Sequence, residues 1–303
     1  MNLIQSRRHF IPAGIGWLSG LLLVVQLALG QNASEPRQTI AYLAHSDDGY
    51  WQVWRMTPDG RQPMQVTFSP YDKSRLSWYP DGRHLLVNGI QGALVKVEVA
   101  SGRETPIPLA LGGMNDAVLS PDGRWIAFSL STASGVDSNN LWVVDAGGGH
   151  LRKLTQLPYL QHDPAWSTDG STLYFLSGKG DQNHDIWKMN LKDGATAQLT
   201  VGQLYHFDVA AGPDGRLAYS GNQSGNYEIW LWAPDEKPRP LTDHPALDAR
   251  PSWSPDGRVL LFESTRGGVS HIWRLSVAGG APEPLTHHPR GARMPVWWAG
   301  DAP

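Results

Sequence analysis

A column of charged residues stands at one position of a repeated sequence phrase. Three positions before the aromatic or apolar residue that anchors each phrase lie Arg75, Asp116, Asp163, Asp208, Arg250 and Met294. His162 and Arg293 precede two members of this column, and His206 is close by in the sequence. Such carboxylate, guanidinium and imidazole groups could bind a charged ligand, the terminus of a partner protein, or a cation. Oxygen ligands of this kind suit Ca²⁺ better than a transition metal, although His162 could broaden the choice.

An aspartate at the start of a strand also has a purely structural role, because it caps a turn or pairs with a neighbouring arginine. A repeated fold places equivalent residues in a ring whether or not they bind anything. A second acidic stretch, Asp181-Gln182-Asn183-His184-Asp185, begins like a calcium loop, but Ile186 replaces the required glycine and no glutamate closes the loop. We therefore expect no obligatory cofactor, with Ca²⁺ as the cation to test.

The elements that must position the column are short strands joined by turns. Asp-Gly turns recur about every 45 residues, at Asp81-Gly82, Asp122-Gly123, Asp169-Gly170, Asp214-Gly215 and Asp256-Gly257. We expect hairpin turns there, because aspartate and glycine tolerate the positive φ that such turns need. An Ile-Trp-type strand and a Leu-Thr pair follow four of the five turns, as in Ile272-Trp273 and Leu285-Thr286, and the segment LVKVEV from Leu94 fills the strand position after Asp81-Gly82. Four strands in a unit of this length are typical of propeller blades.

The two ends of the repeat region complement each other. Five complete blades begin near Tyr71, Gly112, Leu157, Val201 and Asp243. The segment from Ile40 contains the last three strands of a blade, and the segment from Pro295 contains only a first strand. The sequence therefore predicts an all-β, six-bladed propeller over residues 31–303, closed by the C-terminal strand. First strands line the channel of a propeller, so the charged column should surround the mouth of that channel.

The repeated phrase W-S-P-D-G, followed by I-W and then L-T, resembles the TolB-like propeller repeat. That resemblance implies an exported, non-enzymatic scaffold that binds a protein or peptide partner in the cell envelope. Because only a few residues separate Gly30 from the first strand at Ile40, we expect no counterpart of the small α/β domain that precedes the propeller in TolB, and this expectation argues against a full TolB role. The same repeat type occurs in propellers of serine peptidases and in oligogalacturonate lyase, so a lyase- or hydrolase-like or carbohydrate-binding site at the channel mouth stays open.

Composition narrows the remaining possibilities. The 303 residues carry a net charge of −3 without a basic block, which gives nucleic-acid binding no electrostatic support. There are no cysteines, and G-x-S-x-G, H-E-x-x-H and P-loop motifs are absent. Residues 1–30 read as a signal peptide with a partial twin-arginine motif at Ser6–Ile11, or as an uncleaved membrane anchor. We expect a monomeric periplasmic or secreted protein that contacts the membrane only through that segment.

Overall fold

The computed structural model describes residues 38–109, 111–131, 139–178, 184–201 and 206–300. The predicted signal segment 1–30 and most of the calcium-loop-like stretch lie outside the described residues. Over the described ranges, no helix is long and apolar enough to cross a membrane.

The described chain forms six antiparallel sheets of four strands each. Blade 1 contains β1 (Gln38–His45), β2 (Trp51–Met56) and β3 (Met64–Gln65), and its first strand comes from the C-terminal end of the described chain. Blade 2 contains β4 (Arg75–Trp78), β5 (His84–Asn88), β6 (Leu94–Glu98) and β7 (Glu104–Pro106), with a short 3₁₀ turn at Ile90–Gly92. Blade 3 contains β8 (Met114–Leu119), β9 (Trp125–Ser131), β10 (Asn139–Asp145) and β11 (Arg152–Lys153).

The second half of the chain repeats the pattern. Blade 4 contains β12 (Leu160–Trp166), β13 (Thr172–Gly178), β14 (His184–Asn190) and β15 (Thr196–Gln198). Blade 5 contains β16 (His206–Ala211), β17 (Leu217–Gly221), β18 (Glu228–Trp232) and β19 (Arg239–Pro240). Blade 6 contains β20 (Asp248–Trp253), β21 (Val259–Gly267), β22 (Val269–Ser276) and β23 (Glu283–Pro284). The last strand, β24 (Ala292–Ala299), pairs antiparallel with β1.

The pairing of β24 with β1 confirms the predicted closure, because it completes blade 1 in the order β24-β1-β2-β3. The closing strand also contacts blade 2. The Trp298 ring lies 6.2 Å from that of Trp78, and the Trp298 Nε1–H donates to the Pro80 carbonyl at 3.4 Å. The C-terminal strand therefore joins the two ends of the ring and pairs the inner edge of β1, as the first strand of every other blade does for its second strand.

The hydrophobic core lies between neighbouring blades. Second strands such as β5 and β17 are almost continuously buried, because a blade packs on each of their faces. One interblade cluster joins Ile40 and Tyr42 of blade 1 to Leu261 and Ile272 of blade 6. This two-sided burial explains why these strands are apolar runs rather than alternating patterns.

The tryptophans of the P-x-W phrase also connect neighbouring blades. The indole N–H of Trp166 donates to the Val118 carbonyl of blade 3 at 3.2 Å, and that of Trp253 donates to the Ala210 carbonyl of blade 5 at 3.0 Å. Trp78 makes the same bond from blade 2 to Val296 of blade 1 at 3.2 Å. These tryptophans are packing anchors that also satisfy backbone carbonyls on the adjacent inner strand.

The Asp-Gly turns form as predicted, but the role predicted for aspartate was wrong. Gly82 has a positive φ of 62°, and its counterparts in the other four turns also have positive φ values. The turn aspartates do not. Instead the Asp81 carboxylate accepts the backbone N–H of Arg83 at 2.9 Å, and Asp256 does the same for Arg258 at 3.1 Å. Glycine supplies the left-handed conformation, and aspartate closes the turn through its side chain.

The Leu-Thr signal has a definite structural basis. The Oγ1 of each threonine accepts the backbone N–H at the start of the neighbouring Ile-Trp-type strand, as Thr286 does from Ile272 at 2.9 Å and Thr242 from Ile229 at 2.9 Å. These threonines are 6% and 5% exposed, so the bond satisfies a backbone donor that has no access to water.

Candidate functional site: the channel mouth

The propeller has two distinct faces. Hairpins that carry the Asp-Gly turns all lie at one end of the channel, which we call the turn face. The first strands begin at the other end, which we call the mouth face, and the loops between second and third strands lie there too. The charged column belongs to the mouth face, as the sequence predicts.

A β-bulge recurs at the column in five of the six blades. The ladder shifts register at this point in β8, β12, β16, β20 and β24. The column residue of each bulge has a positive φ, and these residues are Asp116, Asp163, Asp208, Arg250 and Met294. A bulge re-aims the side chain of its extra residue, here toward the channel axis. Aspartate tolerates this conformation well, but arginine and methionine do not, so the bulge is built into the fold rather than selected by aspartate.

Arg75 is the centre of the site. It lies in blade 2, where β4 has no bulge, and its guanidinium extends across the channel. Its Nη1 is 2.8 Å from Asp163 Oδ1, 3.7 Å from Asp208 Oδ1 and 4.0 Å from Asp116 Oδ1. One arginine thus faces carboxylates from blades 3, 4 and 5. The structure brings together four residues that the sequence only placed in one column.

Burial and neighbouring charges shift the pKa values of the three carboxyl groups in different directions. Burial opposes ionisation of Asp163, but the His162 hydrogen bond and the Arg75 charge hold its pKa well below the usual range. Burial and the negative charge of Asp163 raise the pKa of Asp208 to about 7. The same two causes raise the pKa of Asp116. Arg75 therefore stabilises Asp163 as the carboxylate, while its neighbours retain protons to a higher pH.

Arg250 forms a second ionic group on the blade 6 side. Its Nη1 is 3.2 Å from Glu263 Oε2, and its Nε is 3.9 Å from Asp208 Oδ1. Glu263 is 3% exposed and also accepts the Met294 backbone N–H at 2.6 Å. Sequence reasoning missed Glu263. Aligning the second strands could have found it. Glu263 pairs with the residue before Arg250, and the equivalent positions in β9 and β17 hold the small polar residues Ser129 and Ser220.

Histidines extend the site along blade 4. Asp163 Oδ2 lies 2.8 Å from His162 Nδ1, and His162 Nε2 lies 2.8 Å from His184 Nδ1. Although burial opposes it, hydrogen bonding to Asp163 raises the pKa of His162. Burial and the positive charge of His162 lower the pKa of His184 to about 4. His184 was not among the predicted site residues; it belongs to the stretch interpreted as a weak calcium loop.

Two predicted residues do not join the ionic cluster. Arg293 stacks on Trp51, with its guanidinium carbon 3.9 Å from the ring centroid, and donates to the Lys73 carbonyl at 3.2 Å. His206 is 4% exposed; its ring contacts Tyr219, and its Nε2 lies 3.9 Å from Asp185. Arg293 immediately precedes the column residue Met294, where the bulge directs neighbouring side chains to different sides, and His206 lies two residues before Asp208, in the regular part of β16.

Asp116, His162 and Asp163 place potential metal-ligating atoms within 4.8 Å of one another. The Arg75 guanidinium already lies 2.8 Å from Asp163, however, where a cation bound to that carboxylate would stand. The chemistry of the donor set suits a metal only if Arg75 moves. Ca²⁺ binding therefore stays a prediction.

Exposed apolar side chains concentrate on the mouth face. Eight large hydrophobic side chains are exposed within the described part of the chain, and topology places six of them in mouth-face loops or strand ends. These six are Tyr50, Phe68, Val201, Phe207, Leu247 and Val269. Soluble proteins expose single apolar residues routinely, but grouping on one face is typical of an interaction surface.

Part of this apolar surface lies where the mouth-face loops of blades 5 and 6 meet. The Phe207 and Tyr227 rings are 4.8 Å apart, and the Tyr227 carbonyl accepts the backbone N–H of Asp248 at 2.9 Å. Leu247, the preceding residue, donates its N–H to Thr265 Oγ1 at 3.2 Å. We call Phe207, Tyr227 and Leu247 the apolar strip. In the sequence, Phe207 immediately precedes the column residue Asp208, and Leu247 lies three residues before Arg250.

Six four-stranded blades, closed by a C-terminal strand and surrounding a charged channel mouth, define a six-bladed β-propeller. Residues 93–216 match the family model of the TolB beta propeller domain, PD40. The fold of the chain is thus a six-bladed β-propeller, and the matched residues are similar to the TolB propeller domain.

Related proteins and structures agree with that assignment. An uncharacterized protein of Agrobacterium fabrum, Atu1656, is 29% identical over 224 residues, covering 72% of this chain and 60% of that protein. The Tol-Pal system protein TolB of Nitratidesulfovibrio vulgaris is 31% identical over 143 residues, covering 44% of this chain and 30% of TolB. The chain thus matches 60% or less of the length of these relatives. The crystal structure of TolB from Acinetobacter baumannii shares the fold, with a TM-score of 0.74 at 21% identity, covering 86% of this chain and 66% of that one.

Proposed function

We propose that this protein is an exported propeller that binds a protein or peptide partner in the cell envelope through its mouth face. The observation that carries the proposal is the grouping of exposed apolar side chains around the ionic cluster on that face. Similarity to Tol-Pal system proteins supports an envelope role in general. The signal-like residues 1–30 motivate export, and fractionation of cells expressing the full chain would test it.

The mouth face offers the two kinds of contact that dominate protein interfaces. The apolar strip supplies aromatic and aliphatic anchors. Arg250, whose side chain is 38% exposed, supplies a guanidinium beside it. Aromatic and arginine side chains at the centre of a patch are the residues whose truncation weakens binding most. The ionic cluster around Arg75 is more deeply buried, so its contribution is to fix the charge and shape of the mouth.

Site-specific photo-cross-linking in cells tests this proposal. A photoreactive residue at Phe207 should yield a discrete adduct with an envelope protein, whereas the same residue at Leu151 should not. Leu151 is the matched control, because it is exposed to a similar extent (39% against 37%) but lies in a turn-face connection. Equal adducts at both positions, or none at Phe207, would contradict a partner at the mouth face.

A catalytic mouth is the second candidate, and one observation favours it. The hydrogen-bonded series Asp163–His162–His184 resembles the arrangement that orients a general base. The lowered pKa of His184 keeps its imidazole neutral at physiological pH. Hydrolysis or β-elimination of envelope polysaccharide fragments by the wild type, abolished in His184→Gln but not in Arg293→Gln, would support this candidate over a scaffold.

A further inference from the structure

The channel contains a cavity that the mouth-face proposal does not use. Its volume is about 400 Å³, within the range of small-molecule pockets. Side chains two positions after the charged column line its wall in every blade. These residues are Ser77, Val118, Ala165, Ala210, Ser252 and Val296. Because all six side chains are small or medium-sized, they do not fill the channel along its axis.

The cavity opens toward the turn face. Ser120, Pro121 and Thr168, which flank Asp-Gly turns, contribute to its lining. At the opposite end Arg75 crosses the channel to Asp163 and Asp208, and these three side chains are only 12–14% exposed. The ionic cluster therefore separates the cavity from the mouth face, and a ligand would enter from the turn face.

Tryptophans form much of the wall, and a carboxylate lies at the closed end. Trp78, Trp166, Trp253 and Trp297 come from four different blades. Asp208 lines the closed end beside Arg75 and Arg250. Indole surfaces attract cations through the ring quadrupole, and the effect strengthens when water is excluded.

Asp208 lacks a close partner. Its nearest cationic nitrogens are Arg75 Nη1 at 3.7 Å and Arg250 Nε at 3.9 Å, both beyond hydrogen-bond distance. Within the described ranges, no donor hydrogen-bonds its carboxylate. Among the described arginines, only Arg75 and Arg250 lie within 4.0 Å of the four carboxyl groups Asp116, Asp163, Asp208 and Glu263, and the nearby His162 hydrogen-bonds Asp163 rather than Asp208. A buried carboxylate in this situation would be stabilised by one more cation.

We propose that the channel cavity binds a slender organic cation, an alkylguanidinium or alkylammonium group, which enters from the turn face. Its charged end contacts Asp208, and its alkyl chain lies between the tryptophans. The group could belong to a free amine or to an arginine or lysine side chain of a peptide. This site lies on the other face from the proposed partner surface, so it neither requires nor excludes the mouth-face partner.

Isothermal titration with n-butylguanidinium tests the site, with the uncharged n-butylurea as its isostere. The wild type should bind the cation and not the urea. Ser252→Phe should fill the bore and weaken binding by at least about tenfold, whereas Ser252→Ala, the matched control at the same position, should bind as the wild type does. Asp208→Asn should also abolish binding, and the circular dichroism melts of all variants would show that they fold.

The pH dependence adds a readout that a nonspecific apolar site would lack. Because burial raises the pKa of Asp208 to about 7, its ionised fraction increases roughly tenfold from pH 6 to pH 8. Affinity for n-butylguanidinium should increase by about the same factor. A blocked pentapeptide with a central arginine, compared with its citrulline version, distinguishes the sources: binding of both cations admits peptide side chains, and binding of n-butylguanidinium alone assigns the site to free amines.

Three results would overturn the proposal: no binding of n-butylguanidinium to the wild type at about 10 mM, equal binding of n-butylurea, or binding that survives Ser252→Phe. None of these results affects the photo-cross-linking at Phe207, because Ser252 lies below the ionic cluster and away from the apolar strip. Failure of this site and failure of the mouth-face partner are therefore separable.

Discussion

The two faces of the propeller use the same residue type in opposite ways. On the turn face, Asp122 is exposed, and hydrogen bonds from Ser120 and the Arg124 backbone lower its pKa to about 2. On the mouth face, Asp208 is buried, and its pKa is raised to about 7. The turn aspartates are repeated because each closes a hairpin. The same bulge backbone carries aspartate in blades 3, 4 and 5, arginine in blade 6 and methionine in blade 1, so the identity of the residue reflects the channel and not the fold.

This difference separates architecture from chemistry within one repeat. Elements that recur unchanged, such as the Asp-Gly turn and the Leu-Thr pair, satisfy backbone groups inside their own blade. Elements that vary, such as the column, interact across the channel with other blades. Substitutions on the two faces should therefore differ in the size of their effect on stability and in how that effect depends on pH.

Replacing Arg75 with glutamine should have the largest effect. Removing one partner of a buried ion pair leaves uncompensated charge and costs about 3–5 kcal/mol. The wild-type pKa of Asp163 is depressed, so the stability it contributes is present at neutral pH and is lost in acid. Without Arg75 that contribution disappears at both pH 5 and pH 8. Arg75 also lowers the pKa of Asp208, which is about 7, so its removal further penalises the Asp208 carboxylate as the pH rises, and the deficit relative to wild type should be larger at pH 8 than at pH 5. Urea unfolding at both pH values measures it.

Arg258→Gln is the turn-face control, because Arg258 is exposed and follows an Asp-Gly turn. Its unfolding free energy should stay within about 0.5 kcal/mol of the wild-type value. If the deficit of Arg75→Gln grew as the pH fell, the carboxylates would not be what Arg75 stabilises.

Two glycines at equivalent turns separate backbone strain from ring closure. Gly82 and Gly215 both have positive φ, 62° and 81°. A Cβ at Gly82 would lie 2.3 Å from the Trp298 ring, whereas a Cβ at Gly215 would have nothing within 4 Å. Gly215→Ala should cost about 1 kcal/mol for strain alone, and Gly82→Ala about 3 kcal/mol, because the closing strand must also move. Thermal unfolding compares them, and equal losses would mean that the Trp298 contact contributes nothing to closure.

The fold was largely predictable because its signals are local. Turn glycines, the Leu-Thr pair and the complementary termini each specify geometry within one blade or at one junction. The column was predictable for the same reason, since equivalent strand starts surround one channel. The reach of Arg75 to blades 4 and 5 was not, because it depends on the width of the bore. Glu263 and His184 enter the site from other strands. Arg293 leaves it because a bulge changes the direction of side chains from one residue to the next, and His206 leaves it because it packs on Tyr219 in the regular ladder before the bulge.

Asp208→Asn should change how the free energy of unfolding depends on pH. Its effect at low pH, where Asp208 is protonated, should be smaller. The pKa of Asp208 is raised in the folded protein, so the folded state binds the proton more tightly than the unfolded chain does. That stabilisation is complete below pH 4 and is lost as the pH rises through about 7. Because asparagine cannot ionise, the variant should gain about 2 kcal/mol relative to wild type between pH 5 and pH 8.

Asp122→Asn is the matched substitution on the turn face. The pKa of Asp122 is lowered, so its contribution has the opposite sign and is lost only as the solution becomes acidic. The Asp122 variant should therefore lose a little stability relative to wild type at neutral pH and show no gain toward pH 8. A parallel pH profile for the two variants would show that the two aspartates are not in different electrostatic environments.

The smallest effect on stability should come from the apolar strip. Phe207 is 37% exposed and Leu151 is 39% exposed, so replacing either with serine should change the unfolding free energy by about 0.5 kcal/mol or less. Their effects on partner capture should nevertheless differ. With a photoreactive residue at Leu247, Phe207→Ser should reduce the cross-linked adduct, whereas Leu151→Ser should leave it unchanged. Loss of the adduct in both variants would indicate a partner that contacts both faces, and retention in both would place the binding surface away from the apolar strip.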